Sequence, residues 1–134
     1  MTPEIAAHLA RATEGLEEAR LVATIPLARL AARSAYLAAF HAAEALIIAK
    51  TGKVAKTHAG VHAEFARLTR DLPASDGELR RVLGRGYAFK ELADYGTDPT
   101  RVVTVEDATA MITDSARFVA RVTDLLAAAS PDDA

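Results

Sequence analysis

Residues 26–52 decide the fold, and they read PLARLAARSAYLAAFHAAEALIIAKTG. Apolar side chains fall on nearly every side of a helix drawn through this segment, and its commonest residue is alanine, the strongest helix former. Pro26 suits the first turn of a helix, and Gly52 suits the residue after its end. The segment therefore predicts one helix of about 25 residues. It is buried on more than one side, either by the rest of its own chain or by a second subunit.

The flanking sequence predicts further helices and no strands, since apolar residues recur at helical spacing and never alternate over a strand's length. The predicted helix starts are Thr2 with Pro3, Pro26, Thr57, a capping box of Ser75 with Glu78, and Thr104 with Asp107. The third helix is expected to stop near Pro73. Gly84 and Gly86 interrupt the fourth helix, which predicts a close helix contact or a kink. The fold class is all-α: an up-and-down bundle of four to five helices over residues 1–129, with a disordered tail over 130–134.

Composition excludes several classes of protein. The chain has 134 residues, a net charge of -2 and no cysteine, so thiol nucleophiles, disulfides and Cys-ligated metals are excluded. The N-terminus lacks the basic and then apolar pattern of a signal peptide, and charged residues interrupt every apolar run. These features predict a cytoplasmic protein that is neither exported nor membrane-spanning. The acidic balance argues against nonspecific coating of nucleic acid.

Two pairs of residues that contain histidine are candidate sites. His41 and Glu44 lie one helical turn apart, as a functional acid-base pair or as partners that satisfy each other at an interface. A two-metal site would need Glu-x-x-His on two helices, and the order here is reversed and occurs once. His58 and His62 have a spacing that suits zinc, but no third ligand is evident, and a solvated helix start is favoured.

A basic stripe runs along the predicted fourth helix through Arg81, Arg85 and Lys90. Such stripes are usually solvated faces. The alternative is a phosphate contact, because arginine matches phosphate geometry, with Tyr87 and Tyr95 stacked on a base. Neither a Gly-rich phosphate loop nor a nucleophile elbow or zinc-protease motif occurs.

Three segments together resemble the HEPN domain family in order and spacing. They are ARSAYLAAFHAAEAL at 32–46, KTHAGV at 56–61 followed by Phe65, and KELADYG at 90–96. The resemblance extends from Leu9 to Leu126. It implies a helical bundle that dimerises, often encoded beside a minimal nucleotidyltransferase in a toxin-antitoxin-like module. It also implies a possible role in RNA cleavage, without a metal or another cofactor.

The resemblance also identifies a motif to compare. Active HEPN ribonucleases carry Arg-x(4 to 6)-His late in the fourth helix, and the equivalent stretch here runs from Lys90 to Tyr95. Lysine can still hold a phosphate as a point charge, whereas tyrosine is a poor general base at neutral pH. We therefore expect full ribonuclease activity to be lacking.

Three functional hypotheses follow. The leading one is a dimer that binds a nucleotide, an RNA or a partner nucleotidyltransferase: Arg85 and Lys90 hold phosphate, Tyr95 stacks or donates a hydrogen bond, and Asp94 orients Lys90. The expected dimer interface consists of Arg33, Tyr36, Leu37, Phe40, His41 and Glu44. The second is a metal-independent ribonuclease toxin in which Lys90 acts with His41 or His58 as the proton-transfer group, and Tyr95 is a further catalytic candidate. The third is a structural dimer or adaptor without a ligand.

Overall fold

Five α-helices form the chain in a computed structural model that describes residues 1–22, 27–98 and 100–128. They are α1 (Pro3–Val22), α2 (Ala28–Thr51), α3 (His58–Leu68), α4 (Glu78–Tyr95) and α5 (Val105–Ala128), with a 3-10 turn at Ala74–Asp76. Those ranges contain no strand, so the all-α prediction is confirmed. The predicted start at Pro26 and the predicted tail at 130–134 lie outside the described residues.

Helix α2 is the centre of the bundle and packs against each of the other four helices. The burial that its sequence predicted on several sides is thus supplied within one chain. Tyr36 was expected at a dimer interface, but its side chain is fully buried inside the bundle. A second subunit cannot touch it, so its assignment to the interface is wrong. Leu37, Phe40 and His41 are only half-buried, and the dimer stays a prediction.

Short-range capping signals predicted most of the helix ends correctly. The Thr2 hydroxyl accepts a hydrogen bond from the Ile5 amide (3.2 Å), and the Thr57 hydroxyl accepts one from the Gly60 amide (2.9 Å). Gly52 ends α2 with a φ of 72°, a left-handed conformation that favours glycine. At the start of α5, Thr104 and Asp107 bond each other's backbone amides, both at 3.0 Å.

The segment between α3 and α4 differs from its prediction. Helix α3 ends at Leu68, well before Pro73. At this end of the helix, the Thr69 hydroxyl donates a hydrogen bond to the Phe65 carbonyl at 2.8 Å. Ser75 is not the cap of α4, because it lies within the 3-10 turn and Gly77 precedes the helix without a side-chain cap. A long-range ion pair holds this turn instead: Arg121 of α5 donates to both oxygens of Asp76, at 2.8 and 2.9 Å.

The two glycines of α4 have different surroundings. A Cβ on Gly86 would lie 2.6 Å from Tyr36 Cδ1 and 2.8 Å from Met111 Cε, so the backbone of α4 approaches α2 and α5 there. The close contact predicted for this pair is confirmed at Gly86. Gly84 is exposed, and a Cβ there would have no neighbour within 4 Å. Within the described ranges, no helix is both long enough and apolar enough to cross a membrane.

Candidate functional site

A carboxylate shared by two cations joins α2 to α4. Asp94 Oδ2 lies 3.2 Å from Lys90 Nζ, and Asp94 Oδ1 accepts a hydrogen bond from Arg33 Nε at 2.8 Å. Burial acts to raise the pKa of Asp94, but the hydrogen bonds from Lys90 and Arg33 outweigh it, and the pKa is lowered. The hydrogen bond to Asp94 raises the pKa of Lys90. Asp94 and Lys90 are therefore ionised at neutral pH. With the guanidinium of Arg33, which carries a fixed positive charge, the three side chains have one net positive charge.

Two tyrosines flank the Lys90 ammonium, which lies 5.7 Å from the ring centre of Tyr95 and 5.9 Å from that of Tyr87. Tyr95 is 72% exposed, whereas the side chain of Lys90 is 14% exposed. A hydrogen bond to Glu91 raises the pKa of Tyr87, which keeps its hydroxyl protonated. We call Arg33, Lys90, Asp94 and Tyr95 the Lys90 site. It consists of a lysine ammonium that is fixed by an ion pair and lies beside an exposed aromatic ring.

Beside this site, the Tyr36 hydroxyl lies between two histidines of α3. It is 2.7 Å from His58 Nδ1 and 2.9 Å from His62 Nε2. The Tyr36 and His58 rings are stacked, with centres 5.7 Å apart. The expectation of a solvated helix start is wrong, because both histidines are half-buried and hydrogen-bonded to the core. We call these three residues the His58–Tyr36–His62 triad.

Both histidines of the triad favour the neutral form. Burial lowers the pKa of His58, and the positive charge of Lys90 lowers it further. Burial also lowers the pKa of His62, with a smaller contribution from His58. Burial raises the pKa of Tyr36 far above its ordinary value, so its hydroxyl keeps its proton. At neutral pH the triad thus consists of three uncharged, hydrogen-bonded groups.

The geometry around these histidines does not resemble a metal site. His58 Nδ1 and His62 Nε2 both face the Tyr36 hydroxyl, so these two nitrogens are not free to share a metal ion. Among the residues that the structure describes, no three or more His, Asp or Glu side chains are grouped to hold a metal ion.

A second polar pair lies against α1. His41 Nδ1 is 2.9 Å from Glu44 Oε1, as the spacing of these residues predicted. His8 of α1 adds a partner that sequence reasoning missed, with Nε2 3.9 Å from the same carboxylate oxygen. No sequence signal could have found it, because nothing local says how α1 and α2 pack together. The Phe40 ring contacts both His41 and His58, and His41 also lies near His8, so this pair is linked to the triad through Phe40.

The arginines of the basic stripe are not part of the Lys90 site. Arg81 Nε lies 2.9 Å from Glu78, and Arg85 pairs with Glu78 and with Asp114 of α5, both at 3.0 Å. Acidic neighbours therefore neutralise this part of the stripe. The second cation at Asp94 is Arg33, which the sequence had placed at a dimer interface. A salt bridge over 61 positions has no local signal.

Comparison with known proteins gives the family. The model of the HEPN domain matches residues 5–125, which is most of the chain. The chain belongs to the HEPN domain family. A similar curated protein from Methanocaldococcus jannaschii, described as "Putative toxin MJ0605", is 33% identical over 119 residues, covering 89% of this chain and 86% of that protein. The predicted family and bundle are thus confirmed, and this HEPN chain is similar to a protein named as a toxin.

The triad of this HEPN protein makes its stability depend on pH. Because the pKa values of His58 and His62 are lowered from 6.5 on folding, the unfolded chain binds protons first as the pH falls. Above pH 6.5, we expect protonation of these histidines to leave the free energy of unfolding unchanged. As the pH decreases from 6.5, the free energy of unfolding should decrease. Urea unfolding at pH 7.5, 6.5 and 5.5 measures the slope, above the range where carboxylates titrate. His62→Gln should flatten the slope, and an unchanged slope would contradict this account.

Proposed function

We propose that this HEPN protein binds RNA or a nucleotide at the Lys90 site, as the ligand-binding member of a toxin-type module. Lys90 holds a phosphate, Tyr95 stacks on a base, and Asp94 orients Lys90. The observation that carries the proposal is the Lys90 ammonium 5.7 Å from the ring centre of Tyr95, a residue that is 72% exposed. A cation beside an open aromatic face matches the two chemical parts of a nucleotide, its phosphate and its base.

The charges at the Lys90 site support an anionic ligand. They also change which residue is the second candidate to bind its phosphate. Arg33 shares Asp94 with Lys90, so it replaces Arg85, which pairs with Glu78 and Asp114, as the second candidate for phosphate. Glu91 opposes the ligand, since its charge acts on Lys90. Glu91→Gln should therefore strengthen binding, and a weaker complex would count against phosphate at this site.

We extend the proposal to assembly, for which the similarity to a protein named as a toxin is the support. The protein acts as a homodimer, with the half-buried Leu37, His41 and Glu44 on the α2 face toward the partner, and it pairs with a minimal nucleotidyltransferase. Light scattering on the purified protein, alone and mixed with the product of a neighbouring nucleotidyltransferase gene, tests both parts. A monomer that forms no complex would refute the extension.

Binding of a fluorescent single-stranded RNA oligonucleotide, followed by anisotropy, tests the site itself. Removing one phosphate-binding cation should weaken binding about tenfold and reduce the salt dependence by about one unit of slope. We expect both changes for Lys90→Gln. Tyr95→Ala should also weaken binding about tenfold, while Tyr95→Phe, which keeps the ring, should bind nearly as well.

The matched control for Lys90 is Lys50→Gln, which removes an exposed lysine at the other end of α2 from Arg33. It should leave both the affinity and the salt slope unchanged. Equal losses in Lys50→Gln and Lys90→Gln would show that binding is nonspecific attraction to the whole protein, and the assignment of the site would fail.

A second candidate function is metal-independent RNA cleavage, and His58 is the residue that favours it. The rings of His58 and Tyr87 are in contact, and Lys90 also contacts Tyr87. The charge of Lys90 helps to keep His58 neutral. A neutral histidine beside a phosphate-binding cation is equipped to take a proton from a ribose hydroxyl. Growth and total RNA integrity after induction in a bacterial host test this function. His58→Gln should abolish any RNA loss, and intact RNA with the wild-type protein would refute it.

A further inference from the structure

We propose that the His58–Tyr36–His62 triad is a proton relay behind the Lys90 site, in which the Tyr36 hydroxyl passes a proton between two histidines on successive turns of α3. The relay itself rests only on the geometry of the triad. Its use in chemistry rests on the second candidate function, RNA cleavage.

The hydrogen-bond geometry requires the two histidines to be coupled. A hydroxyl has one proton, so the Tyr36 hydroxyl can donate to only one of the nitrogens, 2.7 and 2.9 Å away, and accepts from the other. With both rings neutral, the donor is either His58 Nδ1–H or His62 Nε2–H. These two neutral arrangements differ by two protons shifted along the line of three atoms, together with one proton gained at His58 Nε2 and one lost from His62 Nδ1.

One of the two arrangements prepares His58 as a base. When His58 Nδ1–H donates to Tyr36 and Tyr36 donates to His62, the lone pair of His58 lies on Nε2. Within the described part of the chain, His58 makes no other hydrogen bond that would occupy Nε2. A ligand hydroxyl can give its proton to Nε2 while the Nδ1 proton moves to Tyr36 and the Tyr36 proton moves to His62.

The charges around the triad act differently on its two histidines. Lys90 of α4 opposes a positive charge on His58, as does His41 of α2, whereas Glu44 of α2 and Glu91 of α4 favour it. Lys90 has no comparable effect on His62, whose neighbouring charge is His58. The relay therefore moves the acquired positive charge to the histidine on which the phosphate-binding cation has no comparable effect.

RNA cleavage would use the relay in both directions. The 2'-hydroxyl proton moves to His58 Nε2 and the 2'-oxygen bonds to phosphorus, while the bond between phosphorus and the 5'-oxygen breaks. The proton then returns from His62 through Tyr36 and His58 to the 5'-oxygen. The products are a 2',3'-cyclic phosphate and a free 5'-hydroxyl, and neither water nor a metal is consumed.

Nitrogen NMR of the histidine rings in the full-length protein tests the relay without any substrate. In the wild type, His58 and His62 should titrate together, with one shared midpoint for the first proton. Tyr36→Phe removes the bridging hydroxyl and should separate the two midpoints. Tyr87→Phe is the matched control, because its ring contacts both histidines while its hydroxyl bonds Glu91, and it should keep the shared midpoint.

The outcomes separate the relay from the function that it would serve. Independent titration of the two histidines in the wild type, or shared titration that persists in Tyr36→Phe, overturns the relay. If Tyr36→Phe does not fold, His62→Gln replaces it, and a titration of His58 unchanged by that variant has the same meaning. Shared titration in a protein that cleaves no RNA supports the relay and refutes the cleavage function. RNA cleavage by Tyr36→Phe at the wild-type rate overturns the use of the relay in catalysis.

Discussion

Phe65→Ala should lower the free energy of unfolding by about 3–5 kcal/mol. Helix α3 has only two buried apolar residues of its own, Val61 and Phe65. The ring of Phe65 is fully buried, with its centre 5.0 Å from that of Phe118 on α5. Its removal leaves a cavity where α3 meets the bundle. Urea unfolding followed by circular dichroism measures the loss.

Two further variants show whether the loss of stability comes from the contact between Phe65 and the bundle, which we call the Phe65 anchor. Phe65→Leu keeps most of the apolar volume and should cost clearly less. Ala63→Gly, at an exposed position of the same helix, should cost about 1 kcal/mol through helix propensity alone. If Phe65→Ala cost no more than Ala63→Gly, α3 would not depend on this contact. Since α3 carries His58 and His62, the same anchor holds the triad in place.

Gly86→Ala should destabilise the protein by about 1–3 kcal/mol, even though alanine is the better helix former. The added methyl group would lie 2.6 Å from Tyr36 Cδ1 and 2.9 Å from Tyr36 Cβ. The flexible end of Met111 can move aside, but Tyr36 is fully buried and fixed to α2. The substitution should also disturb the two hydrogen bonds of the triad, visible as changed histidine resonances.

The matched control, Gly84→Ala, should have the opposite sign. This glycine is in the same helix, is exposed and has no neighbour within 4 Å of a Cβ, so alanine should stabilise the protein by about 0.5–1 kcal/mol. Thermal unfolding of the two variants side by side gives the comparison. Stabilisation by both substitutions would show that α4 can move away from Tyr36, and the close contact would not be a constraint.

Local sequence signals predicted the fold better than they predicted the site. The Thr104–Asp107 capping box and the stop at Gly52 depend on residues within one turn, so the sequence alone contained them. Ser75 failed as a cap because Asp76 is held by Arg121, 45 positions away. Long-range contacts also explain why the Lys90 site was only partly predicted. The pairing of Arg33 with Asp94 joins different helices, and no helical periodicity indicates which helix faces reach each other.

The histidines of α3 show the same limit in another way. Their spacing correctly placed His58 and His62 on one face, but the choice between solvent and core depended on Tyr36, 22 and 26 positions away. The pairing of His41 with Glu44 was predictable because both partners lie on one helix. A sequence without its packing thus reveals polar pairs within a helix and misses those between helices.

The alanines of α2 affect how this helix can change over evolutionary time. Eight of them have no exposed surface: Ala31, Ala32, Ala35, Ala38, Ala39, Ala42, Ala43 and Ala45. Replacing any of them with a larger residue would overfill a contact with a neighbouring helix. These positions are therefore slow to vary whatever the protein binds. Shared alanines in α2 would record how closely the helices pack, and changes at Arg33, Lys90 or Tyr95 would record a change of activity.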